Sequence, residues 1–471
     1  MKRGFFNLEQ ELKKVEVQKE KKEKVLSSVK EKLLKEETMK LSIKEGSFAS
    51  IMIGIGDFYM IPYALALGLN NLQIGLLKSF SGLLPPVSQL YGSKLMEKYS
   101  RKRIILTFVS LQAMMWLPII FLSLLFLKSI LIPLLPYLLI IFYTLYGIFG
   151  AIATPAWFSL MGAIVPEKIR GRYFGKRNKI VGIVALISSL VTAFLLDFFK
   201  TKGMVLLGFS VLFLIASIAR FISAYYFRKH YNPRFRQKKR FYFSFFQFVS
   251  DVKKRNFPKF SLFVSCMHLS VMIAGPFFSV YMLKELHFSY MTFMIINASS
   301  SLAGLLIVPL WGIFSDKYGR KETMLICSVF ISMMPFLWLF SRSPYYLILP
   351  SIIGGVGWAG FNLAVFNFVY DAVTPEKRAL CISYHNILSG IGIFIGSSLG
   401  GLILQNLPSL NLKLNKFLII FLISSFMRML TSMIFLPRVK EVRRVKKFHP
   451  IISFKKLERG LMHELLNEHK Q

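Results

Sequence analysis

The chain has 471 residues, of which 54% are hydrophobic and 18% charged, and its formal net charge is +37. Soluble domains average about 45–50% apolar and about 25% charged, so this balance excludes one soluble domain. Apolar stretches of about 20 residues and more exclude disorder for all but the ends. A charge of +37 would suggest nucleic acid in a soluble chain. No aromatic-basic platform stands outside the apolar stretches, so the excess reads as the Lys/Arg bias that sets membrane topology, with no nucleic-acid partner expected.

In chain order, residues 1–45 hold 13 Lys/Arg and nine Glu, with Leu8, Leu12, Val15, Val25, Val29 and Leu33 on a thin apolar stripe broken at Lys19–Lys22. This predicts a charged cytoplasmic tail, helical or partly disordered. No cleavable leader is expected, because the first apolar segment follows these residues and is long enough to span. Twelve apolar spans follow, at roughly 47–69, 72–96, 103–127, 131–163, 179–200, 203–227, 259–286, 289–314, 322–341, 344–371, 379–406 and 416–437. They are too long for strands and show no alternation. The reading is an all-α polytopic membrane protein. Its units are a tail (1–45), a six-helix bundle (46–227), a basic linker (228–258), a second six-helix bundle (259–437) and a basic tail (438–471). The linker interleaves Arg234, Arg236, Lys238, Lys239, Arg240, Lys253, Lys254 and Arg255 with Phe, which suits an anionic lipid surface.

Orientation follows from the loops. Those after the even spans carry 27 Lys/Arg, and those after the odd spans carry 7. This places both termini in the cytoplasm, in a cell membrane. Cys266, Cys327 and Cys381 all fall inside spans, without disulfide or metal-ligand spacing, so no metal or other cofactor is expected.

The two halves repeat. Glu97-Lys98-Tyr99-Ser100-Arg101-Lys102 corresponds to Asp316-Lys317-Tyr318-Gly319-Arg320-Lys321, at an offset of 219. Pro166-Glu167-Lys168-Ile169-Arg170 corresponds to Pro375-Glu376-Lys377-Arg378, and Arg220 to Arg428, at offsets of 209 and 208. Three matches in the same order indicate a duplicated six-helix unit, hence two pseudo-symmetric six-helix bundles.

On these residues the chain resembles the major facilitator superfamily of secondary transporters. The loop from Gly312 through Asp316, Gly319, Arg320 and Lys321 matches that superfamily's Gly-x-x-x-Asp-Arg/Lys-x-Gly-Arg-Lys/Arg signature; the first copy is degraded, with Glu97 for Asp and Ser100 for Gly. The resemblance implies two bundles around a central cavity that opens alternately to each side. Hallmarks of narrower subfamilies are missing: Tyr143 stands four residues before Gly147 where proton-coupled members often have Arg, and span 5 has no proline.

Ionisable and polar groups inside spans are the site candidates. Asp57, between Gly54-Ile55-Gly56 and Phe58-Tyr59, suits a coupling or substrate-binding acid, against a structural hydrogen bond to a neighbouring helix. Lys78 either snorkels to the outer headgroups or meets Asp57 or a substrate anion, and Asn297 is its repeat counterpart. Tyr63, Tyr143, Tyr146, Phe277 and Trp358 are candidates for an aromatic cavity wall, and His268 and Asn362 are mid-span polar candidates, with core packing as the bland alternative. Arg220 and Arg428 read as structural anchors. Glu97, Arg101, Lys102, Asp316, Arg320, Lys321, Asp371 and Arg378 form a candidate cytoplasmic gate, in which charges bridge the halves in one state and part in the other.

Gly392, Gly396 and Gly400 recur every four residues. They make a helix-packing seam, and the Gly-x-Ser-x-Gly they enclose is not a hydrolase nucleophile. His463-Glu464-Leu465-Leu466-Asn467 lacks the second histidine of a zinc-protease motif, and no ATP-binding loop is present. The expected function is secondary active transport of a small organic solute by a monomer, with proton coupling left open. A non-transporting receptor or scaffold is the alternative, followed by a membrane-embedded enzyme.

Overall fold

The structure is a computed structural model that describes residues 2–233, 244–406 and 415–446. The centre of the basic linker, the loop around Lys413 and the tail with His463 lie outside the described residues. Twelve long helices carry the fold. They are α1 (Lys2–Ile55), α2 (Asn71–Lys98), α3 (Arg101–Met114, resuming as Trp116–Leu127), α4 (Leu135–Ile164), α5 (Arg170–Thr201) and α6 (Val205–Arg228) in one half. The other half holds α7 (Asn256–Met272), α8 (Tyr290–Tyr318), α9 (Arg320–Leu337), α10 (Pro344–Ala372), α11 (Pro375–Asn406) and α12 (Lys416–Phe435).

Ten of the helical segments among the described residues are long and apolar enough to cross a membrane. The other two of the twelve are α2 and α9. In α2, Lys78, Gln73, Gln89 and the pair Pro85-Pro86 lower the apolar content, and α9 opens on Arg320-Lys321-Glu322. Short polar residues fix where helices begin: Asn70 and Gln73 form a capping box at α2, while Ser100, Ser289 and Asn415 cap α3, α8 and α12. The α8–α9 corner turns on Gly319 at φ 101°, a left-handed angle that disfavours any side chain, with the Glu441 carboxylate standing where a Cβ would be.

The charged N-terminal segment is not separate from the first crossing. It is the beginning of α1, one continuous helix, and Thr38, Ser42 and Glu45 on it are buried against the first bundle. The expected boundary at residue 45 therefore falls inside a packed helix.

The repeat seen in the sequence is a repeat in packing. In the first half α1 packs on α5 and α6, α4 on α2 and α3, and α3 on α6. The second half repeats this, with α7 on α11 and α12, α10 on α8 and α9, and α9 on α12. The halves meet along α2 and α11, where Gly75 faces the Ser397 carbonyl and Gly401, and Gly390 faces the Gly82 carbonyl. Gly392, Gly396 and Gly400 line the opposite flank of α11, against the backbone carbonyls of Ser265, Leu269 and Ile273 on α7. Four-residue spacing repeats the same contact down both helices, and small residues let the backbones approach.

Candidate functional site

Two of the helices are broken at membrane depth, and the breaks face one cavity. Helix α1 stops at Ile55, turns through Asp57–Tyr59 and resumes as Met60–Ala66. Gly56 permits the break, since a Cβ there would run into the Trp116 ring. In α7 the helix stops at Met272 and resumes at Phe277, across Gly275 and Pro276, whose ring nitrogen has no hydrogen to donate. Gly56 and Gly275 are 219 residues apart, the offset of the signature loop. Broken helices at an inter-repeat cavity are the usual way in which transporters present polar backbone and side chains to a solute.

The cavity has a volume of about 490 Å³ and lies between the halves. Asp57, Lys78, Tyr143 and Asn297 line it, as the sequence suggested, together with Tyr146, Phe293 and Met294. Asp57 accepts hydrogen bonds from the Tyr146 hydroxyl at 3.1 Å and the Tyr143 hydroxyl at 3.5 Å. The two tyrosine rings stack 5.6 Å apart at 10°. Lys78 faces the cavity rather than an outer surface, and no ion pair joins its ammonium to Asp57. Asn297 donates its amide to the Phe293 carbonyl of its own helix at 2.8 Å.

His268, Trp358 and Asn362 are not among the cavity-lining residues. His268 stacks on Trp358 at 6.4 Å inside the second bundle, and Asn362 is exposed on α10.

The signature loops act within their own halves. Arg320 donates to Asp316 at 2.8 Å, to Ser315 at 2.9 Å and to Asp371 at 3.1 Å. The segment after α12 lies over this loop: Arg443 reaches Asp316 at 3.1 Å, and the Lys321 amide donates to Glu441 at 2.9 Å. In the degraded copy, Arg101 donates to the carbonyls of Ser159 and Pro233, and Lys102 to that of His230, so this copy holds the start of the linker. Glu97 is exposed beside them. Arg378 donates back to the Tyr370 and Val373 carbonyls, as Arg170 does to Gly162 and Val165, closing the ends of α10 and α4. The ion pairs described for Asp316, Arg320 and Asp371 lie within the second half.

A different acid clasps the halves, on the far side from the tails. Asp197, near the end of α5, accepts the backbone amides of Tyr290 and Met291 in the first turn of α8, each at 2.8 Å. A carboxylate on an α-helical N-terminus meets free N–H groups and the positive end of the helix dipole. Lys200 lies over the Tyr290 ring at 5.7 Å. Nearer the tail side, Asn386 donates to Gln89 across the halves at 3.3 Å, on the α2–α11 contact. Sequence reading missed Asp197, although an acid close to the end of an apolar span was the available signal.

Glu45 was also missed, because it was counted with the charged tail. It sits 8% exposed between Arg177 at 3.4 Å and Arg220 at 3.9 Å, with Ser223 donating to it at 3.2 Å. Its helical register with Thr38 and Ser42, set apart from the lysines around it, was the signal. The repeat partner Arg428 has no acid among the described residues; it donates to the Ile331 and Val271 carbonyls and to Ser424.

Comparison with known proteins agrees with this architecture. The profile of the Major Facilitator Superfamily matches residues 46–266 and 260–462. An uncharacterised MFS-type transporter of Methanocaldococcus jannaschii is 26% identical over 357 residues, covering 74% of this chain and 86% of its own. Multidrug resistance protein 1 of Bacillus subtilis is 26% identical over 123 residues, 26% of this chain. That match spans 32% of its length, and several other curated relatives are matched over still shorter shares. The crystal structure of the nucleoside transporter NupG superposes with a TM-score of 0.64 at 17% identity, over 85% of this chain and 99% of that one. With two packed repeats, a cavity between them and the family match over nearly the whole chain, this multi-pass membrane protein belongs to the major facilitator superfamily.

Proposed function

We propose that the chain carries a small organic solute through the central cavity by alternating access, with Asp57 as the acid that couples transport to protons. The observation that supports this most is the position of Asp57. It lies at the break of α1, at the cavity between the halves, with a tyrosine hydroxyl on each oxygen. A carboxylate at that depth is disfavoured unless it faces a cavity or a partner, and here it has both. Protonation would cancel its charge and change what the cavity holds, which makes binding responsive to a proton gradient.

The 27-to-7 bias in loop Lys/Arg favours a cytoplasmic position for the tail side in the cell membrane. The state with the far-side clasp closed is then inward-facing. The basic loops and linker rest on anionic headgroups, and a single chain holds the whole cavity, so the working unit is a monomer.

Proteoliposomes loaded with a panel of solutes test the coupling. Asp57→Asn should abolish accumulation driven by a pH gradient. A folded variant that accumulates solute normally with an unaltered pH profile refutes the role of Asp57. For the orientation, a cysteine placed at Asn71 should react with an impermeant maleimide from outside intact cells; protection until permeabilisation reverses the assignment.

A further inference from the structure

We propose that the cavity takes a zwitterion, with its ammonium group at Asp57, its carboxylate at Lys78 and an apolar body against the second half. The inference rests on the reading of the cavity as the transport site. Both formal charges in the cavity lining come from the first half, Asp57 on the broken α1 and Lys78 on α2. They are not an ion pair: no carboxylate oxygen stands within 4.0 Å of the Lys78 ammonium, which makes no hydrogen bond among the described residues. Asp57 has two neutral tyrosine donors, one at 3.5 Å, so its negative charge is solvated but not cancelled. An ionised carboxylate offers about four lone-pair sites, which leaves room for an ammonium donor.

Charge balance then selects the ligand class. A purely cationic solute would satisfy Asp57 and leave Lys78 facing added positive charge. A purely anionic solute would do the converse. A neutral solute would displace water from two charges without replacing it, which costs free energy at each. A solute bearing both charges adds no net charge and gives each side chain a charge-assisted partner. The opposite wall carries no formal charge and suits a largely apolar body: the second half contributes Met272, Pro276, Phe293 and Met294, beside the Ser279 hydroxyl and Asn297, whose amide nitrogen donates to its own helix. A volume of about 490 Å³ leaves space for a side chain beyond the two charged groups.

The test uses the full chain purified in detergent and the shift of its thermal unfolding midpoint on ligand addition. The zwitterions are L-leucine, L-phenylalanine, β-alanine, 6-aminohexanoate and glycylglycine, which vary the body and the distance between charges. L-Leucinamide lacks the carboxylate, and N-acetyl-L-leucine lacks the ammonium. At least one zwitterion should bind, and its singly charged analogue should bind about tenfold more weakly or worse. Lys78→Gln should weaken the zwitterion by about the same factor and narrow its advantage over the matching amide, a readout that mere misfolding does not produce. Equal-pool exchange of the bound zwitterion should fall in Asp57→Asn. Failure of all five zwitterions, or equal affinity for a singly charged analogue, overturns the proposal. If Asp57→Asn loses gradient-driven accumulation but keeps full exchange, the zwitterion site is refuted while the proton role stands.

Discussion

Asp197→Asn should open the far side of the cavity. The carboxylate now accepts two backbone amides at 2.8 Å on the first turn of α8. The amide variant keeps one acceptor oxygen and turns an N–H donor towards the second amide, so one bond is lost and the charge with it. A hydrogen bond to a charged group contributes roughly 1.5–3 kcal/mol, and a charge at a helix N-terminus about 0.3–1 kcal/mol. Asp197 is only partly buried, so the low end of both applies, about 2 kcal/mol in all. That corresponds to roughly a 30-fold shift from the far-side-closed towards the far-side-open state. The assay is the rate at which an impermeant maleimide, added from the far side of reconstituted vesicles, reacts with a cysteine at Ser279 in the cavity. Labelling should accelerate in Asp197→Asn and more so in Asp197→Ala, while a cavity cysteine reached from the tail side should label more slowly as that state is depopulated. Equal labelling rates in folded wild type and variants would show that the clasp does not bias the equilibrium.

Two further outcomes follow from buried groups on the tail side. Glu45→Gln should cost about 3 kcal/mol in unfolding by denaturant in micelles, because Arg177 and Arg220 lose their shared acid in a buried site. The low end applies because Arg220 keeps Gln112 at 2.9 Å; a loss below about 1 kcal/mol removes the cluster from the stability of α1. His230, just past the end of α6, is 1% exposed, and burial pushes its pKa down from 6.5 to about 4. The fold therefore favours neutral imidazole, so the stability it contributes is complete above about pH 6.5 and is lost as pH falls towards 4. Limited proteolysis of the linker should increase over that window and lose the dependence in His230→Phe; a pH-independent cutting rate contradicts the assignment.

The bundle architecture was legible in the sequence because its determinants are local. Length and hydropathy give the crossings, and the repeated loops give the two-fold relation between halves. The gaps arise where the determinant is a face rather than a depth. His268 and Asn362 sit mid-span in the sequence but are not among the lining residues of the cavity, and nothing in one sequence fixes which residues of a span line it. Lys78 and Asp57 were both legible, since an ionisable group within a span is rare enough to stand out. Glu45 was not, because charged composition runs without interruption into a helix that buries its last charged turn. Asp197 escaped for another reason: its partner is backbone, which no residue pattern marks.

The repeat also shows how duplicated positions have divided the work. Each half keeps an Arg in its last helix, yet Arg220 meets an acid and Arg428 meets carbonyls. Each half keeps a polar residue on the same level of α2 or α8, yet one is Lys78, a charge, and the other is Asn297, whose amide nitrogen is taken by its own helix. The signature loop runs the other way, with a full acid-base set in the second half and an Arg held by carbonyls in the first. Charge in the cavity lining thus comes from the first half, while each half keeps its own charge cluster at the tail side, Glu45 with Arg177 and Arg220 in one and Arg320 with Asp316 and Asp371 in the other. On the proposed zwitterion site, a rocking motion between such halves would move a charged wall past an uncharged one. The solute would then travel with the first half, and the second half would act as the surface from which the cavity separates as each side opens.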